Sequence, residues 1–369
     1  MSLGIYIHVP FCLRKCPYCD FYSLKFDGDA AEKYVQAVCR NIRAYKKYDL
    51  SADTVYFGGG TPSLLTPKQI GSILSEINNS FGLHFPEITL EANPCSVDFE
   101  KLKDFRLAGI SRLSFGIQSA DDKQLDFLGR LHNFSAAKVA VGYAEKAGFN
   151  NVSCDIMLGL AGQSLRSLTD TVNEITSLPV CHISAYMLKI EEGTAFDCDK
   201  VRKSVADEDM QCEMYLQTCE QLESKGFEQY EISNFAKDGH YSRHNLKYWQ
   251  GEEYIGYGPA AHSFWSGRRF YVPKDLGKFI CEPLQTEIVS EQAPDKLEEY
   301  IMLSLRLKWG IDLSRIAQLG NRQIAEHIYK KAMRLSVGGL CVVSDNNVYL
   351  TPKGFLVSNL IISEFLDFT

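Results

Sequence analysis

The chain has 369 residues, 45% of them hydrophobic and 23% charged, with a formal net charge of −7. That length accommodates one large domain and one small one, and the negative balance argues against a phosphate-backbone binder, which needs a concentrated basic face. No apolar run approaches the roughly 18 residues of a membrane span, and residues 1–9 are too short for a secretory h-region with its cleavage site, so membrane contact is expected only peripherally or through a partner.

Up to about residue 190 the chain alternates short β-branched or aromatic runs with helical stretches. The runs are Ile5–Val9, Thr54–Phe57, Ile88–Glu91, Arg112–Phe115, Val152–Ile156 and His182–Tyr186. Six such units predict parallel strands with right-handed helical crossovers. Thr66 and Pro67 open one helix with proline at its first position, and Gly148 closes another. Ser135–Ala147 carries an apolar stripe at helical spacing for the face of the sheet. An open six-stranded barrel is the economical α/β architecture, with a doubly wound sheet as the alternative on periodicity alone.

From about 195 to 285 the pattern loosens into one helix, Asp207–Ser224, and glycine- and aromatic-rich loops. Pro294 then starts a different unit. Asp295–Leu307 and Arg322–Ser336 read as helices, and Leu340–Val343 with Val348–Leu350 as a hairpin, which suggests a winged-helix-like module. Nine Lys/Arg against nine Asp/Glu over 290–369 favour a packing or lid role over DNA binding. Three segments are expected: a barrel over 1–190, a barrel extension with ligand-side loops over 191–289, and the small module over 290–369.

Twelve cysteines are present. After the first three they are scattered singly, as at Cys39, Cys154, Cys181 and Cys212, so free thiols and a reducing cytoplasm are expected. Cys12, Cys16 and Cys19 are different, because they stand in the spacing CxxxCxxC. An extended chain advances at most about 3.3–3.6 Å per residue, so steps of roughly 13 and 10 Å leave slack for a loop to aim three thiolates at one centre. A cubic iron-sulfur cluster suits that geometry, and with three protein thiolates one iron stays open to another ligand. A zinc knuckle wants four protein ligands, usually as two pairs, and no second pair is nearby. His8 could complete a zinc set, but it sits in an apolar, strand-like run.

With its opening string YIHVPFC and the following Cys16 and Cys19, the chain resembles a radical S-adenosylmethionine (SAM) protein of the coproporphyrinogen-oxidase-like branch. Further strings of that branch recur in order: FGGGTP from Phe57, LEANP from Leu90, SFGIQ from Ser114, LGRLH from Leu128, DIMLGL from Asp155 and HNLKYW from His244. The resemblance covers essentially the whole chain. It implies a partial (β/α)6 radical SAM barrel, a 4Fe-4S cluster on Cys12, Cys16 and Cys19, and SAM chelated at the open iron.

By the same resemblance Tyr6 contacts the first SAM, while Gly59, Glu91 and Arg130 help to bind it. Gly60, Thr61, Gln118 and Asp155 match positions around a second SAM. Gln118 and Asp155 are equally open to hydrogen bonding within the barrel or to touching the ribose of the first. The residue types fit: glycines after a strand let backbone approach a ligand, a buried carboxylate at Glu91 asks for a cation, and Arg130 offers a guanidinium to a carboxylate.

HNLKYW is similar to the haem-binding signature of HemW-type haem chaperones, and His244 would then be a haem ligand with aromatic neighbours as flat walls. A structural histidine among aromatics is the other reading. True oxygen-independent coproporphyrinogen III oxidases carry CxxxCxxCxC and a longer amino-terminal arm, whereas Phe21 stands at the final cysteine position here. The resemblance therefore implies a chaperone that takes haem, or another porphyrin, to client haemoproteins, with a reducing electron donor and no nucleic-acid partner. The alternatives are radical decarboxylation of a tetrapyrrole and class C methyl transfer.

Overall fold

The computed structural model describes residues 2–284 and 287–367; Thr369, the expected end of the last segment, lies outside them. Six parallel strands form the centre: β1 Leu3–Val9, β2 Ala52–Gly59, β3 Leu83–Ala92, β4 Arg112–Gln118, β5 Val152–Leu158 and β6 His182–Met187. Each pairs with the next in chain order. The crossovers are the helices Gly28–Ala44, Pro67–Phe81, Phe99–Ala108, Phe134–Lys146 and Leu165–Thr176. This is the α/β partial barrel, and the doubly wound alternative falls away.

Local chemistry sets the helix ends. Thr66 and Gln69 form a reciprocal capping box ahead of Pro67, and Asn133 accepts from the Ala136 N–H at the start of Phe134–Lys146. Along the strands the period of two separates two faces. Ile5, Ile7, Val55, Phe57, Leu90, Leu113, Phe115 and Ile156 are buried in one core with Ile70, Ile73, Val141, Val172 and Ile175 of the helices. The alternate residues are polar: Tyr6 and His8, Thr54 and Tyr56, Thr89 and Glu91, Ser153 and Asp155, His182 and Ser184. The barrel lumen is thus a polar surface surrounded by an apolar shell.

The segment expected to be mostly loops is more ordered than that. After the helix Glu208–Ser224 come β7 Glu228–Gln229, β8 Asn234–Ala236, β9 Tyr254–Tyr257, β10 His262–Trp265 and β11 Arg268–Tyr271, and β12 Ile288–Gln292 follows. β9 joins β1 in parallel and β8 joins β6 antiparallel, so both edges of the six-stranded core are covered. Among the described residues the sheet runs β12-β11-β10-β9-β1-β2-β3-β4-β5-β6-β8-β7. Strands this short leave no readable alternation, and edge pairing is decided by tertiary contact.

In the last segment the helices Lys296–Ser304, Leu313–Leu319 and Arg322–Val337 precede the hairpin Cys341–Ser344 and Asn347–Leu350. Ile311–Asp312 adds a third strand, and helices Pro352–Leu356 and Ser358–Leu366 follow. This winged-helix-like unit meets the barrel through Ile232 N–H on the Arg306 carbonyl (2.9 Å) and Lys308 N–H on the Tyr230 carbonyl (3.1 Å). No helix among the described residues is long and apolar enough to cross a membrane.

Candidate functional site

A cavity of about 400 Å³ opens at the carboxyl ends of the barrel strands. Cys12, Cys16 and Cys19 line it, together with Gly59, Gly60 and Thr61 of the glycine loop and Glu91, Gln118, Arg130 and Asp155. Ten of the twelve residues singled out from sequence therefore share one space. Strand ends carry them there: Glu91 is the penultimate residue of β3, Gln118 the last of β4, and Asp155 lies within β5.

The cysteine loop is fixed by a turn, Cys19 N–H to the Cys16 carbonyl at 3.1 Å, and by contacts to the loop around residue 129. Arg14 donates to the Gly129 carbonyl at 2.6 Å, and Phe196 N–H to the Pro17 carbonyl at 3.1 Å. The Thr61 hydroxyl points at Cys12 Sγ (3.5 Å) and Arg130 Nη1 at Cys16 Sγ (3.6 Å). Burial pushes the Cys19 thiol up, and its neighbours Cys16 and Cys12 add to this. A bound metal reverses that tendency, because coordination deprotonates a thiol outright. Among the described residues no group of three or more His, Cys, Asp and Glu side chains is arranged to hold a metal ion. A structural zinc needs all its ligands within about 2.3 Å of one point, whereas a cube takes each thiolate on its own iron and tolerates wider separation.

The rest of the cavity suits a zwitterion. Glu91 accepts from the Tyr56 hydroxyl (2.8 Å) and the Gly59 N–H (3.2 Å) and has no ion-pair partner among the described residues. Burial first, and then the Asp155 carboxylate, push Glu91 up to about 7. Asp155 itself is pushed up to about 6 by burial. Neither carboxyl has an ion-pair partner among the described residues. Arg130 is tied by Nη2 to Asn93 Oδ1 and to the Gly116 carbonyl (2.6 Å), while its buried Nε has no partner among the described residues. A ligand bringing an ammonium and a carboxylate would satisfy both groups.

Glycine is required at two positions here. Gly59 has φ +105°, and a Cβ on it would stand 2.6 Å from the His8 ring. A Cβ on Gly60 would meet the carbonyl oxygens of Phe11 and Val9 at 2.7 and 2.8 Å. Gln118 also has positive φ, at 79°, a strained conformation for a residue whose side chain lines the cavity.

Two expected residues stand elsewhere. Tyr6 lines a second cavity of about 350 Å³ instead, with its hydroxyl 3.0 Å from His8 Nδ1. His244 lies outside the first cavity as well. It is fully buried on the helix Arg243–Trp249, with Nδ1 2.8 Å from Thr54 Oγ1 and Nε2 2.8 Å from the Tyr248 hydroxyl. Burial, then Lys247 and Arg112, push it down to about 3, so it is neutral, but both nitrogens are already engaged. The rest of that motif is also held in place: Lys247 pairs with Asp53 (3.1 Å) and Glu252 (2.6 Å), and the Arg306 guanidinium of the last segment lies over Trp249 at 5.7 Å. Sequence reasoning missed Asn93 and Tyr56, although Asn93 belongs to the LEANP string and Tyr56 falls in the polar register of β2.

The radical SAM superfamily model matches residues 6–175 and the HemN C-terminal domain model residues 292–357. The chain is 34% identical to the heme chaperone HemW of Bacillus subtilis, covering 98% of each chain, and 38% identical to that of Haemophilus influenzae over 70% of each. It is also 30% identical to the mitochondrial radical S-adenosyl methionine domain-containing protein 1 of Danio rerio, covering 99% of this chain and 87% of that one. The structure of coproporphyrinogen III oxidase (HemN) from Escherichia coli superposes with a TM-score of 0.84 at 20% identity, covering 100% of this chain and 91% of that one, and shows the same fold. Superfamily membership implies a 4Fe-4S cluster and SAM. With three cysteines lining one cavity and relatives matched end to end, the chain belongs to the HemW family of radical SAM proteins.

Proposed function

We propose that this protein is a haem chaperone: it binds haem and passes it to haemoproteins, and it carries a 4Fe-4S cluster and SAM beside the haem. End-to-end similarity to HemW proteins carries the reading. Phe21 supports it, because it stands where the oxidases resembled here place a further cysteine. All twelve cysteines are free, which suits a reducing cytoplasm.

Within the first cavity, Cys12, Cys16 and Cys19 would hold three irons and leave the fourth for SAM. When bound, the cluster and SAM supply a reducible centre and a cleavable sulfonium, fed by an external electron donor. The roles of the chain's own groups follow from charge. Glu91 receives the SAM ammonium, Arg130 the SAM carboxylate through its free Nε, and Gly59 and Gly60 let the backbone approach. Thr61 orients Cys12. Gln118 and Asp155 reach the ribose or a second SAM.

The test is anaerobic reconstitution with iron and sulfide, followed by haem titration, SAM-cleavage assay and incubation with coproporphyrinogen III. Stoichiometric haem uptake without a decarboxylated product is expected. A decarboxylated product would move the protein to the oxidases, whose fold it shares.

A further inference from the structure

Asn93 stands one residue beyond β3, the strand that delivers Glu91 into the first, cluster-side cavity, and it lines that cavity itself. Its backbone is pinned. The Asn93 carbonyl accepts from the Ser96 N–H at 2.9 Å and from the Ser96 hydroxyl at 2.7 Å, and that hydroxyl lies 2.6 Å from the Ser63 hydroxyl just past the glycine loop.

The Asn93 side chain joins the two groups that point at cysteine sulfurs. Its Oδ1 accepts from Arg130 Nη2, and its Nδ2 donates to Thr61 Oγ1 at 2.9 Å. Arg130 in turn directs Nη1 at Cys16 Sγ (3.6 Å), and Thr61 directs its hydroxyl at Cys12 Sγ (3.5 Å). Gly116 keeps the space for this arrangement: a Cβ there would stand 3.1 Å from Arg130 Nη2 and 3.5 Å from Asn93 Oδ1. Donor and acceptor chemistry gives the series one direction. A guanidinium has only donors, so it faces the amide oxygen and leaves the amide nitrogen for Thr61. A hydroxyl that accepts from an amide still has its own proton to give, and Cys12 Sγ is where it points.

We propose that Asn93 is a positioning residue that sets the reduction potential of the cluster. By accepting from Arg130 and donating to Thr61, it holds one hydrogen-bond donor on the Cys12 sulfur and another on the Cys16 sulfur. This rests on the ligand set of the reading above and adds to it the group that orients the donors. Hydrogen bonds to the sulfurs are among the factors that set a cluster's potential. Reduction adds negative charge that the sulfurs share, so a donor aimed at a sulfur stabilises the reduced form more than the oxidised one and raises the potential.

Asn93→Asp is the informative substitution. A carboxylate of the same shape accepts from Arg130 as before and also from Thr61, which turns the Thr61 proton away from Cys12. Thr61→Val removes that proton and keeps the shape of the side chain, while Thr61→Ser keeps the proton. Spectroelectrochemistry of the anaerobically reconstituted full-length chain, without SAM, reads the potential, and iron content is measured on the same samples. A variant that loads less iron is still informative, since the potential belongs to the assembled fraction. Asn93→Asp and Thr61→Val should each shift the potential downward, and Thr61→Ser should stay at the parental value. The double variant should shift by less than the sum of the two, because both act through one proton and only the added charge of aspartate acts in either background. A parental potential in Thr61→Val, or single shifts that add in full, overturns the positioning role and leaves the cluster reading standing. A parent chain that assembles no cluster overturns both.

Discussion

The Tyr56 hydroxyl donates a 2.8 Å hydrogen bond to Glu91 Oε1. The same Tyr56 ring stacks on His244, with centroids 5.3 Å apart, and His244 in turn holds Tyr248. One continuous line of side chains therefore joins the carboxylate of the cluster-side cavity to the wall of the second cavity, which Tyr248 lines. Removing the hydroxyl tests its nearer end. The bond from Tyr56 lowers the Glu91 pKa, so Tyr56→Phe should raise it further above about 7. Hydrogen bonds to charged groups contribute about 1.5–3 kcal/mol, so SAM affinity at neutral pH should fall by about ten-fold or more. Calorimetric titration of SAM into reconstituted protein checks this, and an unmoved pH midpoint would count against the assignment of Glu91.

Glu91 also predicts how SAM binding depends on pH. An ammonium prefers the ionised carboxylate, and Glu91 ionises at about 7 rather than in the ordinary range because it is buried. Affinity should therefore rise from pH 6 to pH 8 in the parent. Glu91→Gln should bind weakly with a flat profile over that range.

The same shift has a stability consequence of opposite sense. A carboxyl whose folded pKa lies above its usual 4.5 takes up a proton more readily when folded, so its contribution is full below 4.5 and is lost as pH rises through about 7. Asp155, at about 6, has the same sign. Without SAM or cluster, the chain should resist urea better near pH 5 than near pH 8, with Glu91 contributing at most roughly 3 kcal/mol. Glu91→Gln should lower that slope in a urea series and leave the share carried by Asp155 and by buried Glu231, which is also pushed up to about 7.

Gly59→Ala should destabilise the protein by about 1–3 kcal/mol, since φ +105° is unfavourable to a side chain and the new Cβ meets the His8 ring at 2.6 Å. His8 would have to leave the Tyr22 carbonyl, 2.9 Å away, which disturbs the cysteine loop as well. A lower melting temperature together with reduced iron loading is the expected pair of readings.

Single replacement of Cys12, Cys16 or Cys19 by alanine should bring iron content after reconstitution close to background, because an open-iron cube has no thiolate to spare. Replacement of Cys95, an exposed free thiol outside the triad, should leave iron content unchanged. Equal iron in all four variants would refute the ligand set.

Much of the site was legible from residue order alone. The CxxxCxxC spacing, the glycine loop and Glu91 at the end of an apolar strand follow from short-range rules, the resemblance to the radical SAM branch adds Thr61, Gln118, Arg130 and Asp155, and the fold gathers all ten in one cavity. The six parallel strands were legible for the same reason, since a run of five or so residues carries its own periodicity. The partners of His244 were not legible. A histidine among aromatic residues reads the same whether its nitrogens face a ligand or a threonine 190 positions away, and Thr54 is such a partner.

What the sequence by itself determined is the chemistry available: three thiols close enough to share a cluster, a carboxylate and a guanidinium for a zwitterion, and a barrel whose strand ends present them. Only the tertiary structure decided which groups are already engaged, with both ring nitrogens of His8 and of His244 hydrogen-bonded, and which short strands seal the edges of the sheet. The reason is physical. Side-chain type and local spacing are properties of neighbouring residues, whereas the occupation of a lone pair or a strand edge depends on groups brought together from distant parts of the chain.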